Sequence, residues 1–215
     1  MSLKNEFGFI AVEGNIGAGK TTLAKSLSTF LNSRLMLEEF EHNSFLPLFY
    51  EDPDRYAFPL EMSFLADRYE QHSKVFKNES LFQQQTISDY IFQKSVLFGK
   101  NNLSEQEFKL YNKFCETLQK SIPLPDLVIY LHGSVDYLKD NIIKRGRSFE
   151  NNISTQYLKQ IEDLYFSFMK RNRSLRFLVV DREHFKMDFN DSLDIQKLYK
   201  NATQIDLEYG LNIFK

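Results

Sequence analysis

The chain has one cysteine, no tryptophan and no apolar run of 18 residues, and each shortage excludes something. A single Cys115 cannot form an intrachain disulfide, so nothing points to an oxidising compartment. Neither Cys115 nor the histidines (His42, His72, His132, His184) show metal-site spacing, so zinc is not expected. Without a long apolar run no membrane span is expected. Residues 1–12 include Lys4 and Glu6 and lead straight into an apolar segment, so no signal peptide is expected and the cytoplasm is the expected location. A net charge of -2 gives no bulk attraction to a nucleic-acid polymer or a membrane surface. Repeats, low-complexity tracts and linkers are also missing, so residues 1–215 read as a single domain. With no tryptophan, the aromatic content comes from 21 Phe and 11 Tyr. Most of these pack a core, and some suit a pocket for a planar ring.

The run Gly14-Asn15-Ile16-Gly17-Ala18-Gly19-Lys20-Thr21 fits the phosphate-loop pattern G-x-x-x-x-G-K-[ST]. It lies between an apolar run, Phe7 to Val12, and an amphipathic segment beginning at Thr22, which is the strand-to-helix context such a loop needs. Glycines let successive backbone N–H groups turn toward a phosphate chain, and the following helix adds the positive end of its dipole. Lys20 would reach the β- and γ-phosphates and the Thr21 hydroxyl would hold Mg²⁺, so the chain is expected to bind ATP.

Apolar runs suited to buried strands occur at Phe7–Val12, Arg34–Leu37, Thr86–Ser88, Leu127–Leu131 and Arg176–Val180. Helical periodicity predicts helices at Ala24–Asn32, Asp54–Lys77, Asp89–Gly99, Ser104–Ser121, Val135–Lys144, Thr155–Asn172 and Ser192–Ile205. Ser104 with Glu107 reads as a capping box. Strands alternating with helices predict an α/β fold, a five-stranded parallel sheet covered on both faces. Ligands then bind beyond the carboxyl ends of the strands.

Phosphoryl transfer to a small alcohol needs a base, a metal ligand, cations over the phosphoryl group and an acceptor pocket. Glu38 and Glu39 end a predicted strand where an acceptor hydroxyl would approach; the plain alternative is a solvated acidic turn. Lys144-Arg145-Gly146-Arg147 suits a mobile phosphate clamp or, equally, a helix C-terminus complementing its dipole. Asp89 could join Thr21 at Mg²⁺ or cap the helix predicted to start there. Glu61 and Arg68, two helical turns apart, share a face that reads a nucleobase edge or simply meets solvent.

Together these segments resemble the deoxynucleoside kinase family, bacterial deoxyadenosine/deoxyguanosine kinases in particular, over nearly the whole chain. Ile10 to Leu23 is similar to the family's phosphate loop almost letter for letter. This resemblance implies that Gly14 to Thr22 bind ATP. It also implies that Glu38, with the family's spacing before Asn43-Ser44-Phe45-Leu46, is the base, with Glu39 in reserve. Tyr50 resembles the tyrosine that holds the deoxyribose 3′-hydroxyl, Glu61 falls where the family usually has a base-reading glutamine, and Arg68 falls on its base-reading arginine. Arg145-Gly146-Arg147 with Glu150 resembles the lid motif R-G-R-x-x-E, a mobile lid over about 145–151 whose arginines contact phosphates while the glutamate joins the tyrosine.

Two departures stand out. The family's D-R-S motif is Asp89-Tyr90-Ile91 here, so the acid stays and the arginine goes; Lys94, one turn on, can return the charge without the fork. The family's base-reading aspartate is Ser95, so one carboxylate is lost there and one is gained at Glu61. A carboxylate accepts hydrogen bonds only, and guanine offers it two donors on one edge, with adenine next. The resemblance implies a Mg²⁺- and ATP-dependent homodimer that phosphorylates the 5′-hydroxyl of a purine deoxynucleoside for salvage. Two other readings stay open: a thymidylate-type nucleoside monophosphate kinase, which would use Arg55 and Arg68 for a second phosphate, and a nucleotide-binding regulator without catalysis. The segment after Val180, with Asp181 and Phe185, is expected near the ATP base.

Overall fold

A computed structural model describes residues 6–40, 42–77, 85–150, 153–204 and 207–214. Residue 151, the end of the expected lid, and Ile205, the end of the last expected helix, lie outside them. In chain order the elements are β1 (Phe9–Gly14), α1 (Lys20–Leu31), β2 (Arg34–Met36), α2 (Phe45–Glu51), α3 (Pro53–Lys77) and β3 (Thr86–Ser88). They continue with α4 (Lys94–Asn102), α5 (Glu105–Gln119), β4 (Leu127–His132), α6 (Val135–Arg145), α7 (Thr155–Arg171), β5 (Arg176–Asp181), α8 (Ser192–Gln204) and β6 (Gly210–Ile213).

Strand alternation sets the layers. From β1, Ile10 and Val12 join a core with Leu23 and Leu27 of α1, Leu138 of α6 and Leu198 of α8. Phe9 and Ala11 point the other way, toward Leu97 of α4 and Ile161, Tyr165 and Met169 of α7. A third cluster joins Phe49 of α2, Leu60 and Leu65 of α3, and Tyr111 and Cys115 of α5 beside the sheet. Both faces of β1 are thus buried, as a parallel sheet requires. The capping box forms as expected: Ser104 accepts from the Glu107 N–H and the Glu107 side chain accepts from the Ser104 N–H.

The sheet has six parallel strands in the order β2-β3-β1-β4-β5-β6, one more than expected. The extra strand is β6, an edge strand whose four residues carry no apolar run and of which only Gly210 is buried. Of the helix predicted from Asp89 to Gly99, the first five residues form a turn and α4 begins at Lys94, so Asp89 caps no helix. The short helix α2 went unpredicted. From β1 the chain runs to one edge through β2 and returns to β3; it then crosses to the other side through β4. The connections after the adjacent strands β1 and β3 therefore leave in opposite directions, which opens a crevice at their carboxyl ends. Among the described residues no helix is long and apolar enough to cross a membrane.

Candidate active site

The loop after β1 is shaped by glycines at two left-handed positions, Gly17 (φ 83°) and Gly19 (φ 92°). At Gly17 a side chain would also have its Cβ 2.5 Å from the Leu138 carbonyl oxygen, because the loop lies against α6. Gly19 ends the loop as the N-cap of α1 with no side-chain cap, leaving the first N–H groups of that helix for an anion. The Lys20 ammonium folds over the loop and donates to the carbonyls of Gly14 (3.0 Å) and Asn15 (2.9 Å). Burial and the neighbouring Lys94 pull its pKa down to about 8. Asn15 braces the loop: its side chain donates to Leu158 O and accepts from the Ile16 N–H. Ala18 is core packing.

The second strand end supplies the acid. Of the two candidates, Glu39 is exposed, whereas the Glu38 carboxylate is inside, its side chain 13% exposed. Its Oε1 accepts from Arg68 Nε (2.9 Å) and Nη2 (2.7 Å), and its Oε2 from Lys94 Nζ (2.5 Å). Burial alone would raise the pKa of Glu38, but Lys94 and Arg68 outweigh it and hold the group at about 2. The third strand end links the other two. Asp89 Oδ2 accepts from the Thr21 hydroxyl (2.5 Å) and Oδ1 from the Glu38 N–H (2.7 Å).

The fourth group lies past α6. Gly146, left-handed at φ 71°, ends that helix, and a 3₁₀ turn, Ser148–Glu150, follows. Glu150 is buried and accepts from Arg145 and from Arg147 Nη1 (3.3 Å), so both arginines are gathered on one carboxylate. The Arg147 guanidinium also sits 4.1 Å from the Phe40 ring centre. Tyr50 stacks on Phe149 of the same turn, and burial and the charge of Glu150 raise the pKa of its hydroxyl.

Two cavities meet here. The larger, about 910 Å³, runs along Gly17, Gly19 and Thr22 to Arg182 and Met187–Asn190. The smaller, about 120 Å³, is walled by Ile16, Tyr50, Glu61, Phe64, Phe98, Asn102 and Glu150. Lys20, Thr21, Glu38, Phe40, Asp89, Arg145 and Arg147 line both, so they form a common wall.

Every expected site residue except Gly14, Asn15 and Ala18 lines one cavity or the other, and those three shape the loop. Arg68 departs in detail: its fork is engaged by Glu38 and, at 2.8 Å, by Ser95 Oγ. The segment after β5 does reach the larger cavity, through residues other than Asp181 and Phe185. Asp181 accepts from the Glu183 and His184 N–H groups of its own turn, and Phe185 packs on Phe214; the cavity is lined instead by Arg182 and Met187–Asn190.

Three residues escaped sequence reasoning. Glu13, wholly buried in β1, accepts from Tyr165 OH (2.8 Å) and the Ile91 N–H (2.8 Å), tying β1 to the turn after β3. Its signal was an acid inside an apolar run. Asn102 donates to Glu61 Oε1 (2.7 Å), and Tyr157 in turn donates to Asn102 (3.2 Å); neither carried a signal of its own.

A sequence description of the family "deoxynucleoside kinase" matches residues 10–205. The chain is 35% identical over 205 residues to a deoxyguanosine kinase of Bacillus subtilis, covering 94% of this chain and 99% of that one. It is 32% identical over 206 residues to a deoxyadenosine kinase of Lactobacillus acidophilus, covering 87% and 91%. Among solved structures, a deoxyadenosine kinase from M. mycoides with bound dCTP superposes with a TM-score of 0.77 at 27% identity, over 92% of this chain and 100% of that one. The same enzyme with bound dATP gives 0.76 at 28%, over 91% and 99%. Both cavities and the wall between them lie inside the matched span, and the chain belongs to the deoxynucleoside kinase family.

Proposed function

We propose that residues 1–215 act as one kinase domain that transfers the γ-phosphoryl group of ATP to the 5′-hydroxyl of a purine deoxynucleoside, deoxyguanosine or deoxyadenosine, giving the monophosphate for salvage. The observation that carries this reading is the common wall of the two cavities. A donor in the larger one and an acceptor in the smaller one face each other across Lys20, Glu38 and the arginines of the lid. Relatives named deoxyguanosine kinase and deoxyadenosine kinase support the purine.

In this reading the triphosphate lies on Gly14–Thr22, with Lys20 turning from its loop carbonyls to the phosphates. Glu38 receives the hydroxyl proton as the 5′-oxygen attacks. With a pKa of about 2 it is a weak base, which suits a loose transition state where positioning and charge dominate. Arg145 and Arg147 exchange Glu150 for phosphoryl oxygens, which frees that carboxylate to join Tyr50 at the 3′-hydroxyl. Lid closure keeps water from competing as acceptor.

Thr21 and Asp89, a hydroxyl and a carboxylate beside the phosphate loop, fit Mg²⁺, which is held by one or two carboxylates plus substrate phosphates. The bound metal would neutralise charge on the phosphates. The homodimer is carried by the family resemblance. Of the two arginines a second phosphate on the acceptor would use, Arg68 is engaged by Glu38 and Ser95, and Arg55 is exposed and lines neither cavity. The deciding experiment is a phosphorylation panel of the four natural deoxynucleosides and dGMP with ATP. Purine deoxynucleosides are expected to lead; phosphorylation of dGMP but not of deoxyguanosine would overturn the reading.

A further inference from the structure

Glu61 is 1% exposed, yet its carboxyl group is only half satisfied. Oε1 accepts from Asn102 Nδ2 at 2.7 Å, while Oε2 has no partner among the described residues. An unpaired buried carboxylate oxygen is costly unless something enters to meet it. Here the entrance is the smaller cavity, which Glu61 lines together with the Phe64 and Phe98 rings.

Two further hydrogen bonds orient the Asn102 amide. Its Oδ1 accepts from Tyr157 OH (3.2 Å) and from Asn101 Nδ2 (3.0 Å), which leaves the amide nitrogen for Glu61. Oε1 is therefore held as an acceptor, and any proton on this carboxyl group sits on the unpartnered Oε2. A proton there converts an acceptor–acceptor pair into a donor–acceptor pair.

Guanine presents two donors side by side, N1–H and the 2-amino group. Adenine presents an acceptor, N1, beside a donor, the 6-amino group. We propose that Glu61 selects the base through its own protonation: as a carboxylate it holds the guanine edge, and as a carboxylic acid it holds the adenine edge. In the first case N1–H donates to the remaining lone pair of Oε1 and the 2-amino group to Oε2. In the second Oε2–H donates to N1 and the 6-amino group donates to Oε1. The inference rests on the purine reading above.

The surroundings keep both forms within reach. Burial pushes the pKa of Glu61 up to about 7, against the pull of Arg68, the Asn102 hydrogen bond and Lys94, and with a push from Glu38. The remaining titratable neighbours stay uncharged. Tyr50 of α2, Tyr111 and Cys115 of α5 and Tyr157 of α7 are all shifted upward, first by burial.

Because the two substrates use opposite forms of one group, the ratio of kcat/KM for deoxyguanosine to that for deoxyadenosine should rise about tenfold per pH unit, wherever the midpoint lies. Effects of pH on the chemistry common to both, including Lys20 and Glu38, divide out. The experiment measures that ratio from pH 6 to 8 for the unmodified enzyme and for Glu61→Gln, whose amide is permanently a donor–acceptor pair. The expected result is a rising ratio in the first. In the variant the ratio is flat and deoxyguanosine is the poorer of the two substrates. A flat ratio in the unmodified enzyme, or a variant that still prefers deoxyguanosine, would overturn the inference and leave the purine reading standing. A pyrimidine outpacing both purines at every pH would overturn both. If Glu61→Gln does not fold, the ratio in the unmodified enzyme decides alone.

Discussion

Lys94 Nζ donates to Glu38 Oε2 across 2.5 Å, so a cation from the first residue of α4 steadies the acid after β2. The arginine of D-R-S is replaced here by Tyr90, whose hydroxyl turns away to Gln71. Lys94, four residues further on at the start of α4, places its ammonium on Glu38 instead. Replacing it with methionine removes that charge and one of the two groups holding Glu38 low. Lys94→Met should lower kcat by about 10²-fold or more, as losing a preorganised electrostatic partner does. The acid limb of its pH profile should move upward, because the Glu38 carboxyl rises toward its ordinary value. Steady-state rates from pH 4 to 8 check this, and an unchanged kcat across that range would refute it.

Glu38 and Glu39 make a paired test. Glu38→Gln should lose about 10²- to 10⁴-fold in kcat, the usual worth of a positioned acid–base group, with nucleoside binding largely kept. Glu39→Gln should be nearly silent, since its side chain is exposed. Single-turnover rates and nucleoside titration on both variants separate the two roles. If the larger loss falls on Glu39, the base has been misassigned.

Gly17 and Gly19 share a left-handed backbone but differ in what surrounds them. An alanine Cβ at Gly17 meets the Leu138 carbonyl at 2.5 Å, while at Gly19 the nearest atom is the Phe189 ring at 3.7 Å. Each alanine carries backbone strain of about 1–3 kcal/mol. Gly17→Ala should add a displacement of the loop from α6, so it should lose more in Tm and more in ATP affinity. Thermal unfolding with and without ATP distinguishes them.

His72 predicts a pH-dependent stability. It is 1% exposed, both ring nitrogens lack partners among the described residues, and Phe9, Phe76, Tyr90 and Phe92 surround it. Burial, helped by the charge of Arg68, lowers its pKa from 6.5 to about 4. Between those values the unfolded chain binds the proton more readily, so stability falls as the pH falls. The contribution is full above pH 6.5 and is lost progressively toward pH 4, to a total of roughly 3 kcal/mol. Glu61, shifted the other way, opposes this slope, so the comparison with a variant is what isolates it. Urea unfolding at pH 5 and 7.5 should show a smaller acid loss for His72→Phe than for the unmodified protein.

The central strands and the phosphate loop were legible in the sequence because each is a strong local pattern. β1, β4 and β5 are continuous apolar runs, and the glycine spacing of the loop has few other uses. Tyr50, Glu61, Arg68 and Glu150 were legible through resemblance, since spacing alone left them with bland alternatives. What escaped was non-local. β6 exists because an edge of β5 accepts a partner, the turn at 89–93 because Asp89 is taken by Thr21 and the Glu38 N–H, and the Asn102–Glu61 bond because α4 docks on α3. Helical periodicity starting at Asp89 could not reveal that its carboxylate was already engaged 68 residues away.

The wall common to the two cavities has an evolutionary consequence. Lys20, Thr21, Glu38, Asp89, Arg145 and Arg147 line both cavities, so under the proposed function a substitution among them alters both halves of the reaction. Glu61, Phe64, Phe98 and Asn102 line the smaller cavity alone. Appetite for a new nucleoside, natural or synthetic, can therefore drift at that distal end while the phosphoryl-transfer machinery is inherited unchanged.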